Sequence, residues 1–276
     1  MSTTKSDLVI ISQKNHVCTV IMNMPKRFNG WTFPMMEAVK NTLKNAAENS
    51  EIKVLILTGM DPYYCAGVNL GGTLRLAHPR TLHRMIVEHN QELFDTFIDF
   101  PKPILVAVNG PAIGAAVTSA TLCDGIIASE KATFSTPFAK LGVAREGCSS
   151  VLFAQLMGEE QAERMLGDEG WVPNGQEALQ IGLAQWCVPH DSLLEQAQLI
   201  AEEWAANDHT RSYRGSMSQS ELKQINAQES VQVARSFLDT PFLKGQFKFL
   251  WSRKKRGPAF MFWLLKSTRP LWARLL

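Results

Sequence analysis

The sequence lacks most features that would place it outside the ordinary globular proteins. Its longest apolar run, AFMFWLL at 259–265, falls far short of the roughly 20 residues that span a bilayer. The five cysteines (Cys18, Cys65, Cys123, Cys148, Cys187) form no CxxC pair, which argues against a zinc knuckle and for reduced thiols in an intracellular protein. The six histidines show no metal-ligating spacing, so we expect no metal. No basic segment followed by a long apolar stretch opens the chain, so no secretory signal is expected. Acids are missing from residues 242–276, which hold nine Lys or Arg. A net charge of +2 for the whole chain against +9 for this tail leaves the remainder near −7.

What is present is enough for a large core: 276 residues, 45% hydrophobic and 20% charged. HVCTVIMN (16–23) is rich in β-branched residues and predicts a strand, with Pro25 and Gly30 marking the loop that follows. Phe33, Met36, Val39, Leu43 and Ala46 recur at helical spacing, and VLILTG (54–59) reads as a short buried strand. The pattern repeats with a helix around 81–99, a strand at PILVAVNG (103–110), a small-residue helix from Gly114 to Cys123 and a strand at GIIAS (125–129). Such alternation predicts an α/β fold with parallel strands joined by right-handed crossovers. Sites usually form in loops at the carboxyl ends of such strands, here 58–72 and 109–116. After about residue 193 the strand signal ends and the chain reads as helical.

Two loops carry small residues. In PYYCAGVNL (62–70) Gly67 permits dihedrals that aim N–H groups outward, and in VAVNGPAIGAAVTSATLCD (106–124) a strand passes through Asn109-Gly110-Pro111 into a helix starting near Gly114. Free N–H groups, one from each loop, would form an oxyanion hole. Taken alone, the first loop reads better as a plain turn. Cys65 and Cys148 lie nearby without a local base partner, and small buried cysteines are the better reading. His78, His83 and His89 surround a helix-like stretch without metal spacing.

YCAGVNL followed some forty residues later by AVNGPAIGAAVT resembles the enoyl-CoA hydratase/isomerase, or crotonase, family, and the resemblance runs on through ASEKATFSTPFAKLGVAREGCSS and EALQIGLAQWCVP. It implies an α/β crotonase-like spiral of repeated ββα units over residues 1–195. The helical part, 196–276, would serve trimerisation and act as a lid. It further implies an acyl-CoA thioester as substrate, with no other cofactor, and a homotrimer or dimer of trimers. By the same resemblance the oxyanion donors would be the N–H groups of Val68 and Ala115, with Ala66 beside the CoA adenine. Gly67, Asn69, Leu70, Gly114, Phe138 and Leu141 complete the expected substrate-binding set, Asn69 in a structural turn role. Many relatives have glycine where Ala115 stands; alanine keeps the N–H and adds a methyl.

Hydratases of the family carry two glutamates, at positions that here hold Thr118 and Phe138. Neither can act as a general base, and hydration needs acid and base assistance to a bound water. The remaining acid is Glu146, in a segment resembling the "PEGCSS" stretch of peroxisomal-type Δ3,Δ2-enoyl-CoA isomerases, with Arg145 in place of the proline. One carboxylate suffices to move a proton from C2 to C4. Phe134, Phe138, Leu141 and Val143 are expected to raise its pKa toward the working pH. The alternatives for Glu146 are a solvated loop acid or an ion-pair partner of Arg145. For the protein they are a hydratase, another crotonase-type reaction, or a catalytically silent binding protein.

The basic aromatic tail is expected to pack over the site and against neighbouring subunits, with Lys254, Lys255 and Arg256 contacting CoA phosphates. Membrane-surface contact is a second expectation, ahead of nucleic acid. The chain ends in Arg274-Leu275-Leu276, which does not match the peroxisomal tripeptide of related isomerases, and the expected location is a peroxisome-like organelle or mitochondrion rather than cytosol.

Overall fold

A computed structural model of the chain describes residues 2–5, 8–68 and 77–276. Seven strands form one sheet in the order β1 (Ser2–Lys5), β2 (Val9–Lys14), β3 (Val17–Met22), β4 (Val54–Gly59), β5 (Ile104–Val108), β7 (Gly125–Ser129) and β9 (Trp186–Val188). The first three run antiparallel, and from β3 onward every pairing is parallel. A second parallel pair, β6 (Pro111–Ile113) and β8 (Thr133–Ser135), lies beside it. Two successive turns therefore share one pattern. β5 and β6 lead into helix α3 (Ala115–Thr121), and β7 and β8 lead into the short helix α4 (Phe138–Leu141). This is the ββα repeat that the resemblance implies.

The parallel strands are largely apolar because both faces of the sheet are covered. Val17, Val54, Ile56, Leu105, Ala107 and Ile127 face helix α8 (Leu193–Ala206), whose Leu193, Ala197, Ala201 and Ala205 form a stripe with a four-residue step. The alternate residues Val20, Leu55, Leu57, Val106, Val108 and Ile126 face the larger core, where helix α1 (Phe33–Glu48) and helix α2 (Pro79–Ile98) pack. Helix α9 (Gln219–Phe237), opened by a Ser218/Glu221 capping box, lies along α2. Helices α10 (Thr240–Ser252) and α11 (Arg256–Trp272) form a hairpin around Phe242, Leu250, Phe262 and Leu265, which also packs on Leu82 of α2. Among the described residues no helix is long and apolar enough to cross a membrane.

Where sequence periodicity predicts loop throughout 138–147, the structure has α4. Four residues are too few to show a helical period, and Gly142 in the left-handed region (φ 65°) ends the turn at once. Strands β1, β2 and β9 carry no expectation from the periodicity either.

The crossing between α8 and α9 is fixed by a buried ion pair. The Arg211 guanidinium donates to Asp124 Oδ2 at 2.6 Å and to the carbonyls of Leu122 and Phe97, and Asp124 also accepts the N–H groups of Ile104 and Ser212. Their side chains are 7% and 1% exposed. Removing one partner leaves a buried charge unpaired, so Asp124→Ala should lower the unfolding free energy by about 3–5 kcal/mol in urea titration. Glu88→Ala, which breaks the exposed Arg84–Glu88 pair, should change it by less than about 1 kcal/mol.

Candidate active site

The loops that follow β4 and β5 meet at their tips. Buried Asn29 holds the first in place, its amide donating at 2.7 Å to the carbonyls of both Met60 and Tyr63. Cys65 then bridges the second loop: its N–H donates to Pro111 O at 3.2 Å and its carbonyl accepts the Ile113 N–H at 3.0 Å. Gly67 (φ +75°) passes so near Ile113 that a Cβ added there would lie 2.4 Å from the Ile113 carbonyl oxygen. Only glycine fits this crossing. The Ala66 N–H is taken by Phe28 O and the Gly114 N–H by Ser135 O. The N–H groups of Val68 and Ala115 enter no hydrogen bond among the described residues, and Ala115 opens α3, where the first amides have no partner within the helix.

Both residues line a cavity of about 170 Å³, and so does Glu146. Glu146 sits in the turn between α4 and helix α5 (Ser149–Met157) and is 7% exposed. Asn90 on α2 donates from Nδ2 to Glu146 Oε2 at 2.7 Å, and the Ser230 hydroxyl of α9, 2.9 Å from Asn90 Oδ1, orients that amide. Phe138, Leu141, Val143 and Phe237 supply apolar walls. Burial pushes the Glu146 carboxyl up to about 7; the Asn90 hydrogen bond pulls it down, and the negative charge of Glu229 adds to the rise. Arg145 turns away and pairs with Glu163, so Glu146 is neither its ion-pair partner nor a solvated loop acid.

Ala66, Gly67, Val68, Gly114, Ala115, Phe138, Leu141 and Glu146 are thus brought to one cavity. Asn69 and Leu70 lie outside the described residues. Phe134 is fully buried and belongs to the core rather than the cavity lining. Thr118 is fully buried against Gly147, so the position that holds an acid in hydratases is here packing. Among the described lining residues Glu146 is the only acid. Cys65 and Cys148 are buried, and burial pushes the Cys65 thiol up to about 12 and the Cys148 thiol up as well, which makes both poor nucleophiles. Lys255 lies with Val68 and Leu141 along an adjoining groove, whereas Arg256 stacks over Trp251 at 3.7 Å.

A second constellation imitates a nucleophile relay. His190 has Nδ1 3.1 Å from Ser129 Oγ and Nε2 3.2 Å from Asp61 Oδ2, and Asp61 in turn accepts from Asn109. Ser129 is fully buried at the end of β7 and does not line the cavity that Glu146 faces, so this group ties loops together.

Sequence reasoning missed Asn90, His89 and Glu229. The signal was present: Leu82, Ile86, Asn90 and Leu93 share one face of α2, and Leu222, Asn226, Glu229 and Val233 one face of α9, so polar residues interrupt apolar stripes.

Comparison with known proteins bears on the family and the fold. Residues 12–255 match the family model for enoyl-CoA hydratase/isomerase. Enoyl-CoA delta isomerase 2 of Rattus norvegicus is 35% identical over 165 residues, 57% of this chain and 40% of that protein. Peroxisomal enoyl-CoA delta isomerase 3 of Mus musculus is 33% identical over 159 residues, 57% of this chain and 50% of that one. Chromodomain Y-like protein 2 of Mus musculus is 29% identical over 251 residues, covering 88% and 50%. The chain spans about half the length of these curated relatives. The crystal structure of an enoyl-CoA hydratase/isomerase from Pseudoalteromonas atlantica superposes with a TM-score of 0.71 at 24% identity, over 90% of this chain and 97% of that one, which shows the crotonase fold. By the match of most of its length to the family model, the chain belongs to the enoyl-CoA hydratase/isomerase family.

Proposed function

We propose that the protein is a Δ3,Δ2-enoyl-CoA isomerase in which Glu146 is the proton shuttle. The observation that carries this reading is that one acid among the described lining residues, buried and raised to about 7, faces an apolar cavity shared with two N–H groups that enter no hydrogen bond among the described residues. The Glu146 carboxylate takes a C2 proton from a 3-enoyl-CoA, and the C2–H electron pair enters a dienolate. The thioester oxygen, now negative, rests on the N–H groups of Val68 and Ala115. The carboxylic acid then returns its proton to C4, leaving the double bond between C2 and C3. A base with a pKa near the working pH serves both transfers.

Similarity to the two enoyl-CoA delta isomerases supports this choice over hydration and supports a place in fatty acid β-oxidation. Similarity to the peroxisomal mouse relative supports a peroxisome-like location. Val233 and Phe237 of α9 line the cavity, which supports the lid role of 196–276. Exposed Phe249, Trp251, Phe260 and Trp263 on the α10–α11 hairpin support subunit packing in a trimer.

Wild type should convert a 3-enoyl-CoA to the conjugated thioester, read by its ultraviolet absorbance, and Glu146→Gln should lose at least about 10²-fold in kcat with CoA binding kept. Rapid water addition to a trans-2-enoyl-CoA would instead favour the hydratase, and binding without turnover the silent binder. The kcat/KM of wild type should rise with pH through about 7, as Glu146 ionises.

The same group sets a stability signature. A carboxyl raised from 4.5 to about 7 favours the folded state fully below 4.5, and that contribution is lost as pH rises through 7. Glu146→Gln removes the loss. At pH 8 the variant should unfold at a higher temperature than wild type, by up to about 3 kcal/mol in stability, with the gap closing at pH 4.5.

A further inference from the structure

Glu229 is a second carboxylate in this region that the proton shuttle does not use. It is 2% exposed on α9 and lies outside the cavity lining. Its Oε2 accepts the Cys148 N–H at 2.6 Å, and its Oε1 accepts the Ser150 N–H at 2.9 Å. Those two N–H groups belong to the residues two and four positions after Glu146.

The backbone between them is unusual. Gly147 (φ +64°) and Cys148 (φ +63°) are consecutive left-handed residues, and Cys148 has a side chain that disfavours this region. Cys148 is also the N-cap of α5 and makes no side-chain cap. Its place is taken from 81 residues away by Glu229, which satisfies N–H groups that the start of α5 leaves open. A protonated carboxyl would have to turn an O–H toward one of two N–H donors, so the clasp as built calls for the carboxylate.

We propose that Glu229 is a positioning residue for the base: it clasps the N–H groups of Cys148 and Ser150, locks the turn that aims Glu146 into the cavity, and sets a negative charge behind it. This rests on the reading of Glu146 as proton shuttle. The charge disfavours ionisation of Glu146, so it makes the base stronger. The other titratable groups around the turn are His89 and Asp95 on α2, the Cys148 thiol, and Arg145 with its partner Glu163 on helix α6 (Glu159–Leu166). Arg145 draws on Glu229 but is held by Glu163. Burial pushes the Glu229 carboxyl up, and the hydrogen bonds from Ser150 and Cys148 pull it down.

The test compares wild type, Glu229→Gln and Glu229→Asp, with Glu146→Gln to identify the Glu146 signal. Infrared difference titration of the Glu146 carboxyl C=O band reads its midpoint without substrate. In Glu229→Gln that midpoint should fall by on the order of half a unit or more, and the acid limb of kcat/KM should move with it. Loosening of the turn should lower kcat by ~10- to ~100-fold with KM little changed. Glu229→Asp keeps the charge, so its midpoint should stay near wild type while kcat falls because the shorter side chain cannot hold both N–H groups. An unmoved midpoint and unchanged kcat in folded Glu229→Gln overturns the proposal. Should that variant fail to fold, unchanged kcat in Glu229→Asp overturns it alone. If wild type shows no isomerisation yet the midpoint still moves in Glu229→Gln, the isomerase reading falls and the clasp on Glu146 stands.

Discussion

Burying Glu146 with an amide for a partner, rather than a cation, sets the terms for everything around it. A cation would have held the carboxyl in its ordinary acidic range and made it a poor base. Asn90 offers one hydrogen bond to the carboxylate without a charge, so burial dominates and the group rises to about 7. The fold must then do three things. It must keep Arg145 away, which Glu163 accomplishes; it must hold Asn90 in one orientation, which Ser230 accomplishes; and it must keep the turn from relaxing outward.

The turn's geometry shows how tightly that last condition is met. A Cβ on Gly147 would lie 2.6 Å from the Phe94 ring and 2.7 Å from the Thr118 hydroxyl, so the chain at 147 is pressed onto α2 and α3 together. On the opposite wall Gly67 is pressed onto Ile113 in the same way. Two glycines at close approaches, one to backbone and one to buried side chains, therefore set the two sides of the cavity, with positive φ at each. The Gly67 approach is to backbone and the Gly147 approach is to the fully buried side chains of Phe94 and Thr118, so both sides of the site are held in place although it is assembled from loops.

Much of this was legible in the sequence. Glu146, Val68 and Ala115 lie in motifs that the family resemblance singles out, and the structure brings all three to one cavity. Asn90 and Glu229 were not legible as site residues, because what they do is tertiary: they reach Glu146 and its turn from 56 and 81 residues away. Their only trace was a polar residue inside an apolar helical stripe, which a buried hydrogen bond to any neighbour would equally explain. The helix at Phe138–Leu141 was missed for a different reason, since a single turn offers no period to detect.

The position of Thr118 argues that this cavity was not left with one acid by a simple deletion. If a hydratase had merely lost its glutamate there, a shorter side chain would leave space next to the base. Instead the space is filled: Thr118 is fully buried, and the Gly147 backbone occupies the ground beside it. A glutamate at 118 would have to displace the turn that carries Glu146. Within this fold a second acid at that position and the present placement of Glu146 exclude one another, so the presence of one acid in the described lining follows from the packing of the turn as well as from the residue at 118.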